Sequence, residues 1–200
     1  MSEWISVKDT YDRLLKLIGS ENFLKMQGLG NEVPFFICPF PVCESVEVAE
    51  MRRQLVNTLA QRGIQVLEVD LYDLCVEVLK ENGDWDYYIE NEAKLSKVRL
   101  KEELQAMLDA EKVLIPAIAR RMEAAHFDVL FISGVGEVYP FIRSHNVLNN
   151  LQSTARNHPT LMFFPGKYTY SPESGTSLNL FGRLPNDKYY RAFNIFACEV

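Results

Sequence analysis

The chain has little with which to do chemistry of its own. It holds three histidines and four cysteines in 200 residues. His126 and His158 each precede a strand-like run, and only His145 falls on a helical stretch. Cys38 and Cys43 have no second Cys or His pair at zinc spacing, so the sequence offers no metal site. The four thiols (Cys38, Cys43, Cys75, Cys198) lie in apolar or strand-like settings, which reads as reduced thiols in a cytoplasm. No G-x-x-x-x-G-K-[ST] loop occurs. Gly166-Lys167 resembles its tail, but Leu161 stands where the leading glycine belongs and Tyr168 where the magnesium-binding hydroxyl belongs, which excludes a Walker-type NTPase. Gly134-Val135-Gly136 lacks the third glycine of a dinucleotide fingerprint, because Tyr139 occupies that position. Ser133 sits in I-S-G-V-G, without the G-x-S-x-G elbow, and its order relative to His145 and Asp128 argues for no triad. The expectation is a chain with no catalytic residues, no metal and no cofactor.

Long apolar runs are missing too. Stretches such as Val113 to Ala119 fall far short of a membrane span, and Ser2 to Gly19 reads as a charged amphipathic helix, not a signal peptide. A soluble cytoplasmic protein with no membrane partner is expected.

What is present begins with charge. The formal net charge is −6, so tight nucleic-acid binding is not expected by default. The segment from Tyr139 to Arg191 nevertheless carries six bases against two acids, a local +4 that leaves the rest of the chain at −10. Such a basic C-terminal third could face a phosphate or an acidic partner.

The apolar pattern gives the architecture. Val33 to Phe40, Ile64 to Leu71, Asp128 to Ser133 and Thr160 to Phe164 are short, nearly continuous apolar runs, as expected for strands buried on both faces. Tyr189 to Phe196 alternates and reads as a last strand at an edge. Between the runs lie helical stripes. Ser6 and Asp9 form a capping pair ahead of Tyr11, Leu14, Leu15 and Ile18, with Gly19 as the stop. Val48, Met51, Leu55, Val56 and Leu59 mark a second helix ending at Gly63. Leu71, Leu74, Cys75, Val78 and Leu79 mark a third, capped by Asp70. Residues 77–111 hold ten acids and five bases over a narrow apolar stripe and read as an exposed helical insertion. Pro116 interrupts or restarts a helix that runs to Ala125. Gly166 to Asn179, rich in Ser, Gly and Thr, reads as a long loop. Together these predict one α/β domain over residues 1–200, with an N-terminal helix and linker over 1–32. Its core is a three-layer α/β/α arrangement with a mostly parallel, doubly wound sheet of about five strands.

The centre of this pattern is strand, glycine turn, helix over Phe127 to Leu151, with Pro140 placed as a first helical residue. Ligands and partners of parallel sheets gather at such turns. Arg143, Asn146 and Asn150 share one helical spacing, and His145 and Asn149 another. A hydrogen-bonding surface is expected there, with Tyr139, Arg143, His145, Asn149, Lys167, Tyr168 and Arg183 as candidate partner- or ligand-binding residues. A solvated helix face is the plain alternative. Two further readings stay open: a binder of a nucleotide or other phosphate ligand at the Gly134 to Arg143 turn, and a nucleic-acid-binding module using the basic C-terminal third.

The runs FFICPF, EVDLYDL, ISGVGEVYPFIRSHNVLNNLQ, FFPGKY and LNLFGRLPNDKYYRAF resemble the BrxB family, small cytoplasmic proteins encoded in BREX bacteriophage-exclusion operons. The resemblance spans Val33 to Phe196 and is most specific in GVGEVYPFIRSHNVLNNLQ and SLNLFGRLPNDKYYRAF. The segment Glu81 to Glu111 carries little of it. It implies action alongside a PglZ-type phosphatase-like protein, a PglX-type DNA methyltransferase and a large BrxC-type ATPase. No catalytic residue comes with it. The function it implies is that of a non-enzymatic accessory or scaffold subunit that binds the PglZ-type protein directly.

Overall fold

Strand-forming runs with no polar face must be covered on both sides, and the chain supplies helices for each side. The computed structural model describes residues 4–27, 34–171, 175–185 and 192–198. Helix α1 (Val7–Ile18) starts where the Ser6 hydroxyl accepts from the Asp9 N–H, and Gly19 closes it. The stretch that reads as a linker opens with a short helix, α2 (Glu21–Leu24), capped by Ser20; residues 28–33 lie outside the described part. Strand β1 (Phe35–Phe40) is buried throughout. Helix α3 (Ser45–Gln61) buries Val48, Met51, Leu55 and Leu59, and Gly63 leaves it at φ +82°.

Strand β2 (Val66–Asp70) feeds directly into α4 (Leu71–Glu81). The charged region then folds as α5 (Trp85–Asn91), a single 3-10 turn, and α6 (Lys97–Met107). A π turn over Ala110–Leu114 leads into α7 (Ile115–Ala124), with Pro116 in its first turn. Strand β3 (Val129–Ser133), α8 (Ser144–Leu151) and β4 (Thr160–Ser171) complete the central unit.

Five parallel strands form the sheet in the order β2-β3-β4-β1-β7, where β7 is Phe193–Asn194. The expected three-layer α/β class with a mostly parallel sheet is what forms. Strand alternation sorts the core. Phe35, Ile37, Leu130, Ile132, Met162 and Phe164 face α4 and the helices from α6 to α8. Phe36, Cys38, Val129, Phe131, Leu161 and Phe163 face α1 and α3.

Three expectations need correcting. Gly166 to Asn179 is not a long loop: β4 continues to Ser171 and pairs antiparallel with β5 (Gly175–Leu180), which in turn pairs with β6 (Leu184–Pro185). Its signature is period-two burial of Thr176, Leu178 and Leu180, hidden under a loop-like composition. Pro140 does not start a helix. It follows a cis Tyr139–Pro140 bond inside a run of turns, and α8 begins only at Ser144, with Arg143 at the N-cap. Cys43 lies in an exposed turn after β1, not in an apolar setting. The last strand ends at Asn194, before the expected Phe196, and Tyr189 to Arg191 lie outside the described residues. It pairs with β1 alone and so sits at the edge.

Candidate functional site

The carboxyl ends of the parallel strands converge on one edge, where Phe40, Asp70, Ser133 and Pro165 end or leave β1, β2, β3 and β4. Asp70 organises this edge. Its Oδ1 accepts from the backbone N–H of Tyr72 (2.9 Å) and Asp73 (3.3 Å), which caps α4. Its Oδ2 accepts from the Ser133 hydroxyl at 2.8 Å. Ser133 is therefore held as a donor by a carboxylate. Asp128, the other acid considered for a triad, accepts from the Gln65 N–H at 2.7 Å. His145 lies on α8, and its buried Nδ1 has no hydrogen-bond partner. Nothing joins these three groups into a relay.

Gly134 is packed onto the same carboxylate. It adopts φ +73°, and a Cβ there would come within 2.4 Å of Asp70 Oδ1 and 2.9 Å of the Leu71 nitrogen. The place where a dinucleotide fold seats its phosphate is thus filled by Asp70, which already takes the α4 N-terminus. Glu137 adds a further carboxylate to the turn. These charges work against a phosphate ligand at the Gly134 to Arg143 turn.

Beside Asp70 opens a cleft of about 120 Å3, walled by Phe40, Val48, Ala49, Val135, Phe163 and Pro165, with Arg52 inside. The Arg52 side chain is 17% exposed, with Nε 3.4 Å from Glu68 and Nη1 3.9 Å from Asp70. Its guanidinium lies 5.9 Å from the centre of the Phe163 ring. Nε is buried without a hydrogen bond, and among the described residues the guanidinium donates none at all. Nothing in its sequence context singles out this residue, which on α3 passes for one more solvated charge.

The expected surface residues separate into groups. Tyr139 is half-buried and meets Phe181 edge to face, with ring centres 6.2 Å apart. Gly136 lies under that turn; a Cβ on it would touch Phe181 and Pro165 at 3.0 Å each. Lys167 is exposed, and its aliphatic stem runs beside Gly182, next to exposed Arg183. Tyr139, Lys167 and Arg183 therefore meet around the turn after β5. Tyr168 points inward instead: its hydroxyl donates to the Ala192 carbonyl at 3.0 Å and lies 3.2 Å from the Thr176 hydroxyl. Arg143 and Asn149 are exposed on α8, His145 is half-buried, and no hydrogen bond links them to one another or to the hairpin. Asp187, a candidate partner for Arg183, and the bases Lys188 and Arg191 lie outside the described residues.

Among the described residues no cluster of His, Cys, Asp and Glu is arranged to hold a metal ion, and no helix is long and apolar enough to cross a membrane. Burial pushes the Cys38 thiol far up and the Cys75 thiol up to about 12, the latter helped by the Asp70 charge. Both are poor nucleophiles at neutral pH.

Comparison with known proteins agrees with this frame. The family profile described as "BREX protein BrxB" matches residues 67–195. The chain belongs to the BrxB family. A "BREX protein BrxB" of Bacillus cereus (strain H3081.97) is 32% identical over 196 residues, covering 94% of this chain and 97% of that protein. One from Escherichia coli O9:H4 (strain HS) is 29% identical over 178 residues, covering 89% of this chain and 86% of that protein. No solved structure matches the chain. The BrxB match takes in Asp70, Ser133, Gly134 and the whole β4–β5 hairpin, whereas Arg52 and all of α3 precede it.

Proposed function

We propose that this BrxB-family protein is a non-enzymatic accessory subunit of a BREX phage-defence complex, and that it works by binding a PglZ-type protein directly. A PglX-type methyltransferase and a BrxC-type ATPase are the further members of that assembly. One observation carries the reading. Lys167 and Arg183 stand exposed on either side of the Gly182 turn with no acidic partner among the described residues, next to Tyr139 and Phe181. Tyr and Arg are the residues that interfaces draw on as anchors.

Co-purification tests the reading. Wild-type protein is expected to retain the PglZ-type protein through gel filtration. Arg183→Glu, and Arg143→Ala at the start of α8, are expected to lose it while melting within about 2 °C of wild type, since exposed side chains away from the core change stability by at most about 0.5 kcal/mol. Full retention by both variants, with wild type binding, moves the interface off this surface. No retention by folded wild type removes the proposal.

A further inference from the structure

The Arg52 cleft is a separate feature from the hairpin surface, and its size restricts what it can take. A small-molecule site usually encloses roughly 300–1,000 Å3. At about 120 Å3 this cleft is too small for a nucleotide or sugar but suits a single side chain. About half of its lining is apolar, contributed by Phe40, Val48, Ala49, Val135, Phe163 and Pro165. Its polar groups are less evenly matched. Asp70 is saturated by two backbone N–H groups and the Ser133 hydroxyl. Arg52 is the reverse: its Nε is buried with no hydrogen bond, 3.4 Å from the Glu68 carboxylate, and its two terminal nitrogens make none with the described residues. A buried donor left unsatisfied is expensive, so such a group calls for an acceptor. A second anion is a poor candidate, because Glu68 and Asp70 already flank the guanidinium and Glu137 stands at the rim. A neutral acceptor suits the site, and a peptide carbonyl is the commonest one.

The rim supports a polypeptide rather than a free molecule. Val42 and Val46, where β1 passes into α3, are exposed at 44% and 79% beside the cleft-lining Ser45 and Ala49. They add exposed apolar side chains close in the chain to cleft-lining residues, as a docked chain segment requires and an enclosed small ligand does not.

We infer that the cleft between α3 and the turn after β3 is an anchor pocket for one apolar side chain of a partner polypeptide, whose adjoining backbone carbonyl is taken by the Arg52 guanidinium. The partner is the one that binds the hairpin surface, so this inference rests on the function proposed above. The pocket opens on the carboxyl edge of the sheet from which the hairpin also springs, through Pro165 and the Gly136 contact with Phe181.

Three variants test it, with affinity for the PglZ-type protein measured by calorimetry and folding by thermal melting. Ala49→Phe fills the cleft from a half-buried position. Arg52→Lys keeps the charge but loses the planar fork. Val46→Asp alters only the exposed rim and so cannot act through the core. The inference expects each to weaken binding at least tenfold, Val46→Asp without any change in melting temperature. Wild-type affinity in Val46→Asp together with either cleft variant overturns it. If, in that case, Arg183→Glu still abolishes binding, the accessory function stands and only the pocket is lost. If wild type itself does not bind, the functional proposal has failed and this one with it. A gel-filtration shift of the protein alone that Val46→Asp abolishes, with partner affinity unchanged, would assign the patch to a second copy of the chain and also overturn the inference.

Discussion

Replacing Asp70 by alanine removes several interactions at one stroke, and the structure says what each is worth. The α4 cap, made to Tyr72 and Asp73, goes first, at about 1 kcal/mol. Ser133, only 6% exposed, then keeps a hydroxyl whose acceptor has vanished, which costs about 1–3 kcal/mol. Arg52 retains Glu68 but loses its second carboxylate, a smaller term because that contact is long at 3.9 Å. The expected loss is therefore about 2–4 kcal/mol. For a chain of this length it lowers the melting temperature by roughly 5–12 °C. Urea denaturation at pH 7 with a shared m-value measures it. Two comparisons sharpen the assignment. Asp70→Asn keeps an acceptor oxygen for the cap and is expected to cost less. Asp70→Ala combined with Ser133→Ala removes the orphaned hydroxyl, so the double variant should be less destabilised than the sum of the singles. A single Asp70→Ala within 0.5 kcal/mol of wild type, or strict additivity with Ser133→Ala, would refute Asp70 as the organiser of the strand ends.

Other outcomes follow from the same geometry. Gly134→Ala should destabilise by at least about 2 kcal/mol in urea melts, because a positive φ and a 2.4 Å approach to Asp70 both oppose a Cβ. Leu178→Ala, at a fully buried position of β5, should cost about 2–4 kcal/mol, whereas a loop residue would cost next to nothing. A thiol reagent at pH 7.5 should label exposed Cys43 well before Cys38 or Cys75. Because burial raises the Cys38 and Cys75 thiols above their ordinary value of 9.0, their contribution to stability is complete below pH 9 and lost as pH climbs towards 12. Denaturation midpoints should fall over that window, and Cys75→Ser should flatten the slope.

The sheet was legible because strands buried on both faces leave an unbroken apolar trace, as in FFICPF and VLFIS. Their order was not. Nothing in the sequence says that β1 sits between β4 and β7, with β3 and β4 separating it from β2, since that depends on which crossovers pack. The β4–β5 hairpin was missed for a compositional reason: Gly, Ser and Thr suggest a loop, and only the alternation of Thr176, Leu178 and Leu180 betrays the strand. Asp70 was readable as a helix cap from its place between strand and apolar stripe. Its bond to Ser133 was not, because the two are 63 residues apart. Of the expected surface residues, the turn after β5 gathers Tyr139, Lys167 and Arg183, a meeting set by Gly136 and Phe181 in space and not by spacing in sequence. Tyr168 went the other way because strand alternation turns it inward, where its hydroxyl finds Ala192. Arg52 could not be singled out from sequence, since an arginine on an amphipathic helix gives no hint of whether it points to water or into a cleft.

Whether this BrxB-family chain acts by contact is decided by calorimetric titration of the purified protein into the purified PglZ-type protein. The expected result is a saturable complex of defined stoichiometry, lost in Arg183→Glu and weakened at least tenfold in Ala49→Phe. An absence of binding heat and of co-elution, with both proteins shown to be folded, would contradict it.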